Sequence, residues 1–425
     1  MILLSHPTGN ANVRGVLNGL VSKKLLHNFH TSVAAFEGNV WHRLGGVSSL
    51  SELRKRTYDA SVQPFTEMFP WYELGRMMSK KMNFNNFLTH ETGMFSIDKS
   101  YQAFDKHVAK ALINKNKQLP KAVYAYEDGA LETFKTAKRL GISCIYDLPI
   151  AYWETGRRLM KEEADRLPKW APTLGGGIKD SESKLLRKEK ELELADIIVA
   201  PGSFVMNSLP DWSNKKIKIV SPFGSPEINS IHKNTICNNK SITHNEKLRV
   251  LFVGSMGQRK GLGDLFQAMQ FLNNPNIELV VLGSLLAPLE FYKNAFPNFT
   301  YEPVRAHPEI LKLMRSCDLL CLPSIVEGRA LVMQEAMSQG LPIIITPNTG
   351  GSDLIIDGET GFLVPIRSAS IIAEKINWFF ENRNQLERMG ENARKHATNY
   401  TWENYAKTIV DELSQNLDFE IKNVV

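Results

Sequence analysis

Apolar positions in this chain fall in short runs separated by amphipathic stretches. Strand-like runs cover residues 2–5, 122–126, 142–146, 195–203 and 216–220, then 248–253, 277–282, 299–304, 318–322, 342–346 and 362–364. Between them the apolar spacing changes to the helical period, over residues 13–26, 130–140, 204–209, 262–272, 307–315, 331–339, 369–382 and 385–396. A long polar helical stretch, residues 154–192, breaks at Gly175, Gly176 and Gly177. Strand–helix alternation predicts parallel sheets with helices on both faces. The alternation runs twice, so the fold class is α/β, with two doubly wound domains facing a cleft.

Residues 230–247 interrupt the pattern: they are polar, Asn-rich and without period, and read as the end of a linker. The expected domains are residues 1–235 and 236–400, with a final helix in 401–425 outside the alternation. Residues 50–120 follow neither period and mix Phe65, Phe69, Trp71, Tyr72, Phe84 and Phe87 with basic residues. An acceptor pocket, a membrane-gripping surface and an irregular core layer all fit that mixture.

The stretch 318–340 carries the densest chemistry. An apolar strand breaks at Pro323-Ser324, and a helix then runs to a stop at Gly340-Leu341-Pro342. Glu327 stands at the mouth of that helix and Glu335 eight positions on. Eight helical steps rise roughly 12 Å, about the reach of a diphosphate with a sugar at each end. The amides of Gly328, Arg329, Ala330 and Leu331 open the helix, where anions bind readily. Hydroxyl acceptor, phosphate cradle, hydroxyl acceptor is one reading; an ordinary strand–loop–helix with two exposed glutamates is the other. In the first half the loop after the opening strand holds a lone glycine, Gly9, with Asn10, Asn12 and Arg14 near it. Glu127, Asp128 and Asp147 follow later strands, where ligands gather in open sheets. All of these also suit turns and helix caps.

Composition narrows the class. A chain of 425 residues, 43% hydrophobic and 23% charged, is long enough for two substantial cores. Its net charge of +6 fits an anionic ligand or membrane surface and does not call for nucleic acid. The basic clusters at 54–56 and 184–190 read as solvated faces. Cys144, Cys237, Cys317 and Cys321 lack metal-ligand spacing, so no metal is expected and a reducing cytoplasm fits. The chain enters a strand at residue 2 without a leader pattern. No apolar run approaches the roughly 18 residues of a membrane span.

Four blocks then resemble a known family, family 4 of the glycosyltransferases. They are Val253-Gly254 with Arg259-Lys260-Gly261; Leu322-Pro323-Ser324 with Glu327-Gly328 and Glu335-Ala336-Met337; Gly340-Leu341-Pro342 with Thr349-Gly350-Gly351; and Asp357-Gly358 with residues 361–364. The resemblance covers about residues 248–365 and extends to the first half only in layout. It implies the GT-B architecture of two Rossmann-like domains, with Trp402 starting a helix that returns to the first. It implies a retaining transfer from a nucleotide-diphosphate sugar to a sugar-containing acceptor, without a cofactor or metal. By the same resemblance Arg259 and Lys260 would neutralise the leaving diphosphate, Glu327 would hold the donor sugar and Glu335 the ribose. Gly254, Ser255, Val304, Arg305, Gly328, Arg329, Ala330 and Leu331 would line the donor site. Gly9, Asn10, Asn12, Glu127, Asp128 and Asp147 are the acceptor-side or phosphate-loop candidates.

This chain departs from the family at three points. Ser255 replaces a frequent Arg, and Arg329-Ala330 replaces a more usual Phe-Gly. Residues 146–149 carry no His where many members have one, so no base is assigned and the leaving phosphate would take the acceptor proton. A nucleotide-sugar epimerase and a non-catalytic nucleotide-sugar-binding scaffold remain as alternatives. This chain has no lysine motif recognisable as a phosphorylase's cofactor anchor and no GxGxxG fingerprint of a dehydrogenase.

Overall fold

The computed structural model describes residues 1–46, 48–114, 118–225 and 247–417. Residues 230–246 of the expected linker, Cys237 and the chain beyond 417 lie outside them. The first sheet has strands β1 (Ile2–Ser5), β2 (Leu26–Thr31), β3 (Thr66–Met68), β4 (Ala122–Tyr126), β5 (Ser143–Asp147), β6 (Ile197–Ala200) and β7 (Ile217–Val220). The second has β8 (Leu248–Val253), β9 (Ile277–Leu282), β10 (Phe299–Glu302), β11 (Leu319–Leu322), β12 (Ile343–Ile345) and β13 (Gly361–Leu363).

Their spatial orders are β3-β2-β1-β4-β5-β6-β7 and β10-β9-β8-β11-β12-β13, every pair parallel. Both sheets are doubly wound, with the strand order reversing between β1 and β4 and between β8 and β11. Those switch points are where an open α/β sheet leaves a crevice for ligand. β11 and β12 read as unbroken apolar runs because parallel strands are buried on both faces.

Two parts of the pattern needed the tertiary structure. The helix expected over 13–26 is Ala11–Ser22, and Lys24 at φ 55° turns the chain so that Leu26 begins β2. β2 was missed because His27, Asn28 and His30 break its apolar signal. The irregular stretch 50–120 contains β3 and the helices Trp71–Lys81 and Ile97–Leu112.

The basic clusters are not solvated faces throughout. Positions 184, 187, 188 and 191 form one inward face of the Glu182–Leu194 helix. Lys184 Nζ lies 2.9 Å from Asp98 and 3.1 Å from Asp180, Arg187 lies 2.8 Å from Asp128, and Lys188 3.1 Å from Glu127. Arg56 is likewise paired with Glu73. Nearby carboxylates on other elements made burial of these cations possible, and local sequence does not show them.

Two segments cross between domains. The Trp402–Asn416 helix puts Tyr405, Ile409, Val410 and Leu413 into the core of the first sheet. It lies on the Ala11–Ser22 helix, where Gly19 leaves room: a Cβ there would sit 2.9 Å from that of Ala406. Trp170, from the first half of the chain, is buried in the second-domain core, its ring 5.0 Å from Phe291 and 5.8 Å from Phe266. Beside it Arg166 grips Asp264 through both carboxylate oxygens at 2.8 Å and Glu163 at 2.6 Å. Gln258 joins the same two carboxylates at 2.7 and 2.8 Å.

Candidate functional site

The second-domain switch point brings the predicted donor loops together. After β8, Gly254 runs into a short 3-10 turn, Gln258–Lys260, and Gly261 at φ 73° starts the Leu262–Leu272 helix. After β11 the loop 323–330 leads into the Leu331–Ser338 helix. The Arg259 carbonyl accepts from the amides of Ile325 at 2.9 Å and Val326 at 3.3 Å, which holds one loop against the other. Lys260 Nζ then reaches Glu327 Oε1 at 2.5 Å, and Arg259 Nη1 reaches the same oxygen at 2.9 Å. Burial would raise the Glu327 pKa, but the Lys260 ammonium and the Arg259 guanidinium outweigh it and hold it below the ordinary value. Two cations on one carboxylate leave a net positive charge at the mouth of the helix.

The glycines here are spatial requirements. A Cβ on Gly254 would lie 2.6 Å from Cδ of Lys260, so the glycine lets the lysine stem fold across the loop. A Cβ on Gly328 would lie 1.7 Å from the Pro149 carbonyl oxygen, so this loop abuts the first domain directly. Gly350, at φ 80°, closes on the Gly328 carbonyl in the same way, at 1.8 Å.

The remaining donor-side candidates separate. Glu335 faces His307, whose Nε2 lies 3.0 Å from Oε1. Sequence reading did not single out His307; its position at the start of the His307–Arg315 helix, just after Val304 and Arg305, was the available signal. Val304 is exposed, and Arg305 pairs with Glu302. Ser255 is half-buried, while Ala330 is buried. Arg329 is buried and turned elsewhere: it binds Asp353 through two nitrogens at 2.7 and 3.0 Å, donates to Gln334 at 2.8 Å, and lies over the Tyr400 ring. Its guanidinium thus ties the loop to the chain leading into the last helix.

At the first-domain switch point β1 leads into His6, which sequence reading passed over. The ring is buried, and Nδ1 accepts from the amides of Thr8 at 3.0 Å and Gly9 at 2.8 Å. Burial, helped by Arg56, pushes its pKa down to about 3, so it stays neutral with the remaining proton on Nε2. A polar residue directly after a buried strand at a switch point was its legible signal. Gly9 has φ 66°, and a Cβ there would strike the Tyr58 hydroxyl, so both backbone and space require glycine. Asn10 is the exposed residue before the Ala11–Ser22 helix, and Asn12 is buried in its first turn. Arg14 is spent on the carbonyls of Gly9, Lys55 and Thr57 at 3.0, 2.7 and 2.6 Å.

Glu127 and Asp128, after β4, are held by Lys188 and Arg187 as described. Asp147, ending β5, is buried and accepts from Tyr124 Oη at 2.6 Å; burial raises its pKa to about 7. His90, Glu91 and Asp180 come close enough to hold a cation, but Lys184 already neutralises Asp180.

Residues 237–396 match the family model described as glycosyl transferases group 1. An uncharacterized glycosyltransferase of Methanocaldococcus jannaschii is 26% identical over 52% of this chain and 60% of its own length. A D-inositol 3-phosphate glycosyltransferase of Paenarthrobacter aurescens is 30% identical over 38% of this chain and 42% of its own. The capsular polysaccharide biosynthesis glycosyltransferase CapM of Staphylococcus aureus is 28% identical over 48% and 57%. The match therefore spans less than two thirds of each of these relatives. Among solved structures, sucrose-phosphate synthase from Thermosynechococcus elongatus superposes with a TM-score of 0.64 at 17% identity, over 98% of this chain and 99% of that one. HepE of Anabaena, in complex with UDP, gives 0.59 at 15%, over 97% and 99%. The molecule has the GT-B fold of those structures. Its second domain carries the sequence match to the group 1 glycosyl transferases.

Proposed function

We propose that this protein is a retaining glycosyltransferase that moves a sugar from a nucleoside-diphosphate sugar to a hydroxyl acceptor without a metal ion. The observation that carries the reading is the triad of Arg259, Lys260 and Glu327 at the β8/β11 switch point, cationic in sum and opening onto a helix N-terminus. As the C1–O bond to the diphosphate breaks, the two cations neutralise the leaving phosphate. The new C1–O bond forms to the acceptor oxygen on the same face, and the acceptor proton passes to a phosphate oxygen. Glu327 orients the donor sugar and Glu335 the ribose, and closing the domains excludes water as a competing acceptor. The acceptor, a glycan or glycolipid, enters from the first-domain loops at His6, Glu127 and Asp147. A uridine nucleotide is the first donor to test, because HepE has been solved with UDP and with UDP-glucose. A cytoplasmic setting suits the free thiols of Cys144, Cys317 and Cys321, and no helix among the described residues can cross a membrane.

Thermal shift with UDP, GDP, ADP, CDP and TDP, each with EDTA and with magnesium, tests the reading. One nucleotide should stabilise the wild type in EDTA, by about 2.7 kcal/mol at a hundred times its Kd. The same nucleotide should leave Lys260→Ala unmoved. A panel with no shift, or an equal shift in the variant, would refute the donor site. Conversion of donor alone, without acceptor, would favour an epimerase.

A further inference from the structure

Glu335 lies one helical turn from the boundary between the domains. Leu331, four positions before it on the Leu331–Ser338 helix, packs against the core of the first sheet, and residues four apart share a helix face. One group among the described residues engages the Glu335 carboxylate: His307, with Nε2 3.0 Å from Oε1. A carboxylate accepts and does not donate, so Nε2 carries the proton. Oε2 has no partner among the described residues and is open to solvent, the side chain being 18% exposed.

The imidazole is itself held in place. His307 opens the His307–Arg315 helix, and Pro308 behind it fixes the backbone of the first turn. It heads the helix face that continues through Ile310, Leu311 and Met314, which pack on the second-domain core. At the far end of the two helices, Arg315 donates to Gln339 at 2.5 Å. The helices are thus tied at two points. A glutamate side chain left to itself samples many rotamers. Pinning one oxygen fixes the direction of the other. The ring is 51% exposed, so the pair adds little to stability, and what it supplies is geometry.

We propose that His307 is a positioning residue: it pins Oε1 of Glu335, aims Oε2 at the ribose hydroxyls of the nucleotide, and so sets how strongly the site tells a ribose from a sugar without those hydroxyls. The role rests on Glu335 holding the ribose, as proposed above, and adds what directs it there.

Isothermal titration calorimetry of the full chain with UDP and with 2′,3′-dideoxy-UDP, and with the matching pair for each other nucleotide of the thermal panel, tests it. The wild type should favour the hydroxylated ligand by at least about tenfold, the order expected of a hydrogen bond to a charged group. Glu335→Ala should erase that ratio. His307→Ala should cut it about fivefold, the order set by releasing one rotamer-rich side chain, with binding of the dideoxy ligand unchanged. His307→Gln, which returns an N–H donor near the position of Nε2, should restore the ratio. His307→Phe, which keeps the ring and loses the donor, should not. Melting temperatures without ligand should stay near that of the wild type in all the His307 variants, because the pair is half-exposed. A ratio lost in Glu335→Ala and kept in His307→Ala overturns the positioning role alone. Equal weakening of both ligands in His307→Ala would make the ring a contact to another part of the nucleotide and overturn it as well. A wild type that binds neither ligand or both alike, or a ratio that survives Glu335→Ala, removes the ribose reading of Glu335 and the proposal with it.

Discussion

Asp147 illustrates what burial does to a single residue. Its carboxyl titrates near 7 in the folded chain, against an ordinary value of 3.8, because burial disfavours the charged form. The native state therefore keeps a proton that the unfolded chain has already lost between about pH 4 and pH 7. Its relative contribution is full at the acid end of that window and falls as pH rises, by roughly 4 kcal/mol in total. Asp147→Asn keeps an oxygen for Tyr124 and cannot ionise. Denaturant unfolding of both proteins should show the variant gaining on the wild type across this window. Parallel stability curves would mean that Asp147 is ionised in place. The residue types were legible: Glu327 and Glu335 are marked by their spacing, and Lys260 by the family resemblance of its loop. What they touch was not. Arg329 is turned to Asp353, and Glu335 faces His307, because the partners lie 24 and 28 positions away in the chain.

Among the elements, two glycines between β12 and β13 serve different ends. Gly350 and Gly358 both have positive φ, at 80° and 69°. An added Cβ at Gly350 meets the Gly328 carbonyl, whereas at Gly358 it meets nothing within 4 Å. Gly358→Ala should therefore cost only the backbone strain, about 1 kcal/mol. Gly350→Ala should cost several times that and also weaken nucleotide binding, since the loop carrying Glu327 must move. Equal losses in thermal unfolding would show that only φ matters. The helices and buried strands of the second domain were legible because their periods are long and unbroken; β2 and β3 were not, because polar residues and short length erase the period.

The whole molecule is held by segments that ignore chain order. Glu163 and Asp264 are fully buried, and Arg166 lies between them. Arg166→Ala would leave the Asp264 carboxylate without a cation and Glu163 with Arg367 alone, at a cost of about 3–5 kcal/mol. Because Gln258 shares that network and precedes Arg259 and Lys260, nucleotide affinity should fall too. The exposed Arg157–Glu182 pair, at 3.4 Å, is the control, and Arg157→Ala should change stability by less than about 1 kcal/mol. Equal, small effects from both substitutions, read by denaturant titration, would dispose of the network as an interdomain tie.

Local pattern was enough for the alternation of strands and helices, the two-sheet plan and the chemical type of the loops after β8 and β11. Hydrophobic period and glycine placement are properties of neighbouring residues, so the chain itself carries them. The tertiary structure decided which charges are buried, that His6 accepts two amides at the first switch point, and that the Trp170 and Trp402 segments cross between domains. These depend on groups far apart in sequence that meet only when the sheets close, and no local period encodes their meeting.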